Sequence, residues 1–204
     1  IVMPEQAPFA KVARTRDLGA DVILKGRTLN ETAVFVEKTA AKKNLILIHP
    51  YNDYDVVSGQ GSIAIELLSQ VPELDCLVVP IGGGGLIAGL SIAAKAINPK
   101  LRIYGVETKL FPSAYNVFNN STLSCSGDTI ADGIAVKQLG EINIPIIRDN
   151  VDDILLVDEI SIENSISYLF EDERVISEGA GAAGVAAILE NENIFKNKKV
   201  ATII

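Results

Sequence analysis

Four consecutive glycines, Gly82, Gly83, Gly84 and Gly85, stand between an apolar run, Val78-Val79-Pro80-Ile81, and a helix-like stretch that opens at Leu86. A buried strand that enters residues without a Cβ and leaves as a helix can bend its backbone into a concave nest of N–H groups. The helix N-terminus behind the nest adds partial positive charge. Together they can receive a phosphate dianion without a basic side chain. A tight turn alone needs one glycine; four in a row carry an entropic cost with no local benefit. A dinucleotide reading competes. Gly83-x-Gly85-x-x-Ala88 fits the loose G-x-G-x-x-G/A pattern, and Glu107 lies 22 residues beyond Gly85, where a ribose-binding acid belongs. The residues alone leave both readings open.

The other chemistry-bearing residues read more plainly. His49, the single histidine, precedes Pro50 at a strand end and has no legible base partner, so a structural or hinge role is expected. Asp53 and Asp55 read as a solvated turn, and Asp152 and Asp153 as surface residues ahead of a strand. Glu178 opens a helix, where a carboxylate favours the dipole. Gly179, Gly181 and Gly184, interleaved with Ala180, Ala182 and Ala183, leave a thin helix face for packing on a sheet. Cys76 reads as core, and Cys125 as a loop thiol with no basic neighbour to activate it.

Alternating apolar patterns supply the elements that must position these groups. Strands are expected at residues 1–3, 21–24, 45–48, 76–81, 102–107, 153–157 and 200–204. Helices are expected at 8–18 (closed by Gly19), from a cap at Asn30 to about 43, from the 59–62 glycine segment to before Pro72, and at 86–97, 159–170 and 177–189. Residues 111–150 are mixed. Strand–helix alternation with wholly apolar strands implies an α/β fold: parallel sheet, helices on both faces. A domain change is expected in the polar break at 49–55.

Composition narrows the function. Eighteen Lys+Arg against 26 Asp+Glu give a net charge of −8, which argues against a nucleic-acid partner. An apolar fraction of 48% supports a sizeable core and excludes disorder. With 2 Cys and 1 His there is neither a disulfide framework nor a three-histidine zinc centre. The 19 uncharged residues at 76–94 contain Pro80 and the glycines, which would break a spanning helix, so no membrane segment is expected. No signal peptide is visible, and the few cysteines suit the cytoplasm. The chain starts at Ile1 and ends on the apolar Val-Ala-Thr-Ile-Ile, so a piece truncated at both ends is expected.

The segment VVPIGGGGLIAGLSIAAK resembles the tetraglycine loop of fold-type II pyridoxal-phosphate enzymes, in the serine/threonine dehydratase and serine racemase group. IVMPEQAPFAKVARTRDLGADVIL, HPYNDYDVVSGQGSIAIELL, DTIADGIAVKQLGE and VISEGAGAAGVAAIL resemble further signatures of that family, in the family's order. The resemblance implies a tryptophan-synthase-β-like fold, with residues 1–50 in the small domain and 51–204 forming most of the large, cofactor-binding domain. It displaces the dinucleotide reading. It implies that Gly82, Gly83, Gly84, Gly85 and the amide of Leu86 hold the phosphate of pyridoxal 5'-phosphate. Gly133 would line the pocket through its backbone; Glu178, read apart from the resemblance as a carboxylate at a helix start, is expected to face the cofactor ring. A divalent cation, magnesium or calcium, is implied at Glu107, the carbonyl of Phe111 and the position of Ser113. The family pattern has aspartate where Ser113 stands, so one charged oxygen ligand is missing.

None of the lysines has the Ser-Phe-Lys-x-Arg-Gly-Ala setting of the lysine that carries the cofactor, so no catalytic residue is assigned in this chain. The implied activity is deamination of L-threonine or L-serine to a 2-keto acid and ammonia. Serine racemase, or a non-catalytic homologue, is the alternative. The implied partners are a small amino-acid substrate and further copies of the chain, as dimer or tetramer. If the glycine cup also tunes the phosphate as an acid, Gly84→Lys is expected to keep cofactor bound and slow elimination.

Overall fold

The computed structural model describes residues 1–27 and 29–204, with side chains at 1–27 and 31–204. The chain forms two compact units, Ile1–Ile48 and His49–Ile204. In the first, β1 (Val2–Met3) pairs in parallel with β2 (Ile23–Leu24) across the helix α1 (Phe9–Asp17), and α2 (Leu29–Lys43) follows. Gly19 ends α1 at φ +87°, a left-handed conformation that glycine adopts without a Cβ clash. The helix α2 begins at Leu29, one residue before Asn30, and the Asn30 side chain expected to cap it lies outside the described side chains. Residues 45–48 are not a strand. Their apolar side chains, leucine alternating with β-branched isoleucine, are exposed, Ile46 by 92%, and no described strand runs alongside to take their backbone hydrogen bonds.

The second unit carries a four-stranded, wholly parallel sheet. Its strands are β3 (Cys76–Pro80), β4 (Arg102–Thr108), β5 (Asp153–Val157) and β6 (Val200–Thr202), in the order β5-β4-β3-β6. Helices cover both faces. Leu77, Val79, Ile103 and Ile154 pack against α3 (Tyr54–Gln70), α4 (Gly85–Ile97) and α6 (Asn143–Asn150) on one face. Cys76, Val78, Tyr104, Val106 and Val157 pack against α7 (Glu159–Glu171) and α8 (Gly179–Glu190) on the other. Burial on both faces is why β3 is apolar at every position. The span 111–150 resolves into α5 (Ser113–Asn119), a 3₁₀ turn at Asp132–Ile134 and α6, and a short α9 (Glu192–Phe195) precedes β6. Among the described residues no helix is long and apolar enough to cross a membrane.

Two sequence expectations are corrected here. The helix before β3 begins not at the 59–62 glycines but at Tyr54. Asp53 is its cap, accepting from the N–H of Asp55 at 2.9 Å and of Val56 at 3.1 Å. Asp152 is not a bystander at the surface. It accepts from Lys95 Nζ at 3.1 Å, Arg102 Nε at 2.9 Å and the Ile103 amide at 2.8 Å, joining α4 to β4.

One of the misplaced glycines, Gly61, has a packing role together with Gly89 of α4. A Cβ on Gly89 would fall 2.1 Å from the Val57 carbonyl oxygen, and one on Gly61 would lie 3.1 Å from the Gly89 carbonyl oxygen. The α3 and α4 backbones therefore touch. Gly89→Ala is expected to destabilise the second unit by about 2–3 kcal/mol, because the obstacle is backbone and cannot rotate away. A thermal melt should drop by roughly 4–12 °C, at a few degrees per kcal/mol for a domain of this size. An unchanged melting temperature would show that the helices are not in backbone contact.

Candidate functional site

In the sheet order, the chain leaves β3 toward β4 and β5 on one side and returns to the other side with β6. The crevice beyond the carboxyl ends of β3 and β6 is thus a topological switch point, where open α/β sheets bind ligands. The glycine turn follows β3 there, and Ile203 and Ile204 follow β6. Between them lies a cavity of about 480 Å³, within the range of small-molecule sites. Gly82, Gly83, Gly84, Gly85, Leu86, Gly133 and Glu178 all line it.

Each absent Cβ of the turn is replaced by a neighbour pressing on the backbone. A Cβ on Gly83 would sit 2.2–2.3 Å from three ring carbons of Tyr51. Gly84 has φ +89° and is the N-cap of α4; its absent Cβ points into packing made by Ile147, Asn143 and Leu139 at 3.0–3.2 Å. A side chain at 84 would therefore enter the core beneath the turn. The expectation that Gly84→Lys keeps cofactor bound is overturned: a buried, unpaired ammonium would break the turn first.

The cavity-facing side of the turn is backbone. The first N–H groups of α4 have no acceptor within the helix. Among the described residues no carbonyl or side chain takes the amides of Gly83, Gly84, Gly85 or Leu86. Donors left open at a helix N-terminus favour an anion.

Three segments hold this wall. Asn143 Nδ2 donates to the Tyr51 carbonyl at 2.8 Å and the Gly83 carbonyl at 2.9 Å, and Asn52 Oδ1 accepts from the Ile142 amide at 3.1 Å. His49 Nδ1 accepts from the amides of Tyr51 at 3.3 Å and Asn52 at 2.9 Å, and its ring meets Tyr51 edge-on. That is the structural role expected of the histidine. On the opposite wall, a Cβ on Gly133 would meet Ala180 Cβ at 3.0 Å and Glu178 Oε1 at 3.2 Å, so the 3₁₀ turn lies close against the start of α8. Glu159 supports the approach to this turn. Its carboxylate accepts from Thr108 Oγ1 at 2.7 Å, Thr129 Oγ1 at 2.9 Å and the Ile130 amide at 2.9 Å.

Tyr51, Gln60, Val136, Ile203 and Ile204 also line the cavity and were not singled out by sequence. Tyr51 sits inside the quoted HPYNDYDVV segment, where its aromatic ring between proline and asparagine was the available signal. Burial pushes its phenol up.

Glu107 lies elsewhere. It is 1% exposed and does not line the cavity, so it cannot hold a ribose there. Its Oε1 accepts from Ser113 Oγ at 3.0 Å and the Ala114 amide at 2.8 Å, and its Oε2 from the Tyr115 amide at 2.8 Å. The carboxylate thus caps α5. Burial pushes its pKa up to about 7, against the pull of these three donors. The structure brings Glu107 and Ser113 together, with Phe111 buried nearby. Cys125 shares a second cavity with Lys137, the basic neighbour that sequence did not reveal; burial nonetheless raises its thiol.

A family model described as pyridoxal-phosphate dependent enzyme matches residues 1–204. The chain is 40% identical over 206 residues to an L-threonine ammonia-lyase of Thermotoga maritima, covering 100% of this chain and 51% of that protein. It is 39% identical over 208 residues to the catabolic L-threonine dehydratase TdcB of Escherichia coli K12, covering 100% of this chain and 63% of that protein. The chain thus spans between half and two thirds of the curated relatives it matches. Among solved structures, maize serine racemase superposes with a TM-score of 0.92 at 35% identity, covering 100% of this chain and 64% of that one. The expected fold-type II architecture is met, and the dinucleotide reading falls. A glycine turn of free amides at a switch point, a model match along the whole chain and these relatives agree: the chain belongs to the pyridoxal-phosphate-dependent enzyme family.

Proposed function

We propose that the whole protein is a pyridoxal-phosphate-dependent ammonia-lyase that converts L-threonine or L-serine to a 2-keto acid and ammonia. The observation that carries this reading is the row of unpaired amides on the glycine turn, facing a cavity at the carboxyl end of β3. The names of the two relatives at 39–40% identity supply the reaction. Bound pyridoxal phosphate supplies an electron sink for removal of an amino acid's α-proton.

The residues of this chain bind and orient. The amides of Gly82, Gly83, Gly84, Gly85 and Leu86 hold the phosphate dianion by backbone donors alone. The Tyr51 ring backs the turn, Gly133 leaves room for ring and substrate, and the Glu178 carboxylate faces the ring. Ile203 and Ile204 give that side an apolar wall. In this reading residues 1–50 belong to the small domain and 51–204 to the large one.

The divalent cation is not part of the proposal. Both oxygens of Glu107 already accept protein N–H or O–H groups, the Ser113 hydroxyl donates toward it, and no second carboxylate stands where the family pattern has aspartate. A hard cation needs several oxygen ligands with free lone pairs. A homo-oligomer, dimer or tetramer, belongs to the reading; exposed Ile65, Ile92 and Phe170 on the helices support it. The free thiols of Cys76 and Cys125 suit a reducing compartment, and the cytoplasm is proposed on that ground.

Product analysis tests the function. The whole protein with pyridoxal phosphate should release ammonia and 2-oxobutanoate from L-threonine, and pyruvate from L-serine. The likeness to maize serine racemase favours a second reading, in which D-serine is the main product from L-serine. Cofactor binding without turnover of either amino acid would make the protein a non-catalytic homologue.

A further inference from the structure

Asn143 contacts the glycine turn from behind, outside the cavity. It is fully buried, at the first position of α6. Its Nδ2 donates to the Gly83 carbonyl at 2.9 Å, and the Gly140 amide donates to the same oxygen at 3.0 Å. Two donors on one carbonyl fix the plane of the Gly83–Gly84 peptide. In a trans peptide the C=O and the following N–H point in opposite directions. Drawing the Gly83 oxygen down into the 140–143 turn therefore turns the Gly84 N–H outward, to the side of the cavity.

The second Nδ2 bond, to the Tyr51 carbonyl at 2.8 Å, holds the segment whose ring packs on Gly83. The same amide leaves its Oδ1 buried without a partner. An unpaired buried acceptor is destabilising, and native proteins seldom retain one without a reason. A leucine of similar size would fill the space without that penalty, but it could not donate.

We propose that Asn143 is the positioning residue of the phosphate-binding turn: its side-chain amide holds the Gly83 carbonyl back so that the Gly84 N–H faces the anion. The inference rests on the proposed phosphate role of the turn, and the two fail differently. The test compares binding of pyridoxal phosphate and of pyridoxal, which lacks the phosphate, by the whole protein and its Asn143→Leu variant. Wild type should prefer the phosphorylated form. Asn143→Leu should weaken pyridoxal phosphate by roughly tenfold to a hundredfold, the range for a lost hydrogen bond to a charged group, with pyridoxal binding within about twofold of wild type.

Equal loss of both ligands, or loss of neither, overturns the role of Asn143 while leaving the turn's role intact. A wild-type protein without preference overturns the phosphate role itself. Should Asn143→Leu not fold, amide NMR of the wild type decides: inorganic phosphate should shift the Gly84 N–H resonance downfield, and a Gly84 signal that stays put overturns the proposal.

Discussion

Gly83→Ala should abolish useful binding of pyridoxal phosphate while leaving the sheet folded. The added methyl would lie 2.2–2.3 Å from Cγ, Cδ1 and Cδ2 of Tyr51, far inside van der Waals contact. The Tyr51 backbone is tied by Asn143 and His49, so the segment cannot retreat as a whole. The ring must swing instead, and the cavity it lines is the open direction. A displaced ring there competes for the volume the cofactor would fill and tilts the turn's amides. A loss of about a hundredfold in affinity is expected, the upper end of the range for one hydrogen bond to a charged group. Fluorescence titration with pyridoxal phosphate measures it. The double variant Gly83→Ala with Tyr51→Ala removes the obstructing ring and should recover most of the affinity. Undiminished binding by Gly83→Ala, or a double variant as weak as the single one, would refute the packing account.

The second large effect concerns Glu107, whose carboxylate serves three buried or half-buried donors. Glu107→Leu strands those donors and uncaps α5. It is expected to cost about 3 kcal/mol or more, a fall of roughly 6–12 °C in melting temperature. The wild type should also show a pH dependence. With a folded pKa near 7 against an ordinary 4.5, the native state binds the proton more tightly than the unfolded chain. That contribution to stability is complete below about pH 4.5 and is lost as pH rises through 7, by about 3 kcal/mol in all. Glu73 and Asp158 are shifted the other way, so their contributions are present above the ordinary carboxylate range and fall away only in more acid solution. Urea midpoints at pH 4.5, 6 and 7.5 should therefore fall for wild type and stay level for Glu107→Gln. A level wild-type profile would mean that Glu107 remains ionised throughout.

What was legible in the sequence was whatever depends on local residue order. The four glycines with Leu86, Gly133 and Glu178 stand in short, ordered patterns, and all line one cavity. Strand β5 reads correctly because its apolar run, Ile154 to Val157 after Asp153, needs only the adjacent sheet to bury it. The 59–62 segment was misread as a helix start because the purpose of Gly61, contact with α4, depends on a residue almost thirty positions away, while Gly59 faces open space. Asn143 was invisible for a stronger reason: its partners are two backbone carbonyls, at separations of 92 and 60 residues, and no side-chain pattern announces a carbonyl. Glu107 was legible as a carboxylate at a strand end, but its partners are the amides of the helix that follows. Residues 45–48 show the opposite error, since β propensity alone does not provide a neighbouring strand.

Backbone contact at Gly61 and Gly89 joins the two helices that begin at the cavity, α3 beyond Tyr51 and α4 beyond the glycine turn. Moving the anion receptor into another scaffold would thus require residues 51–97 to be transplanted as one block. A graft of the glycine loop alone would deliver the donors without the aromatic floor they rest on.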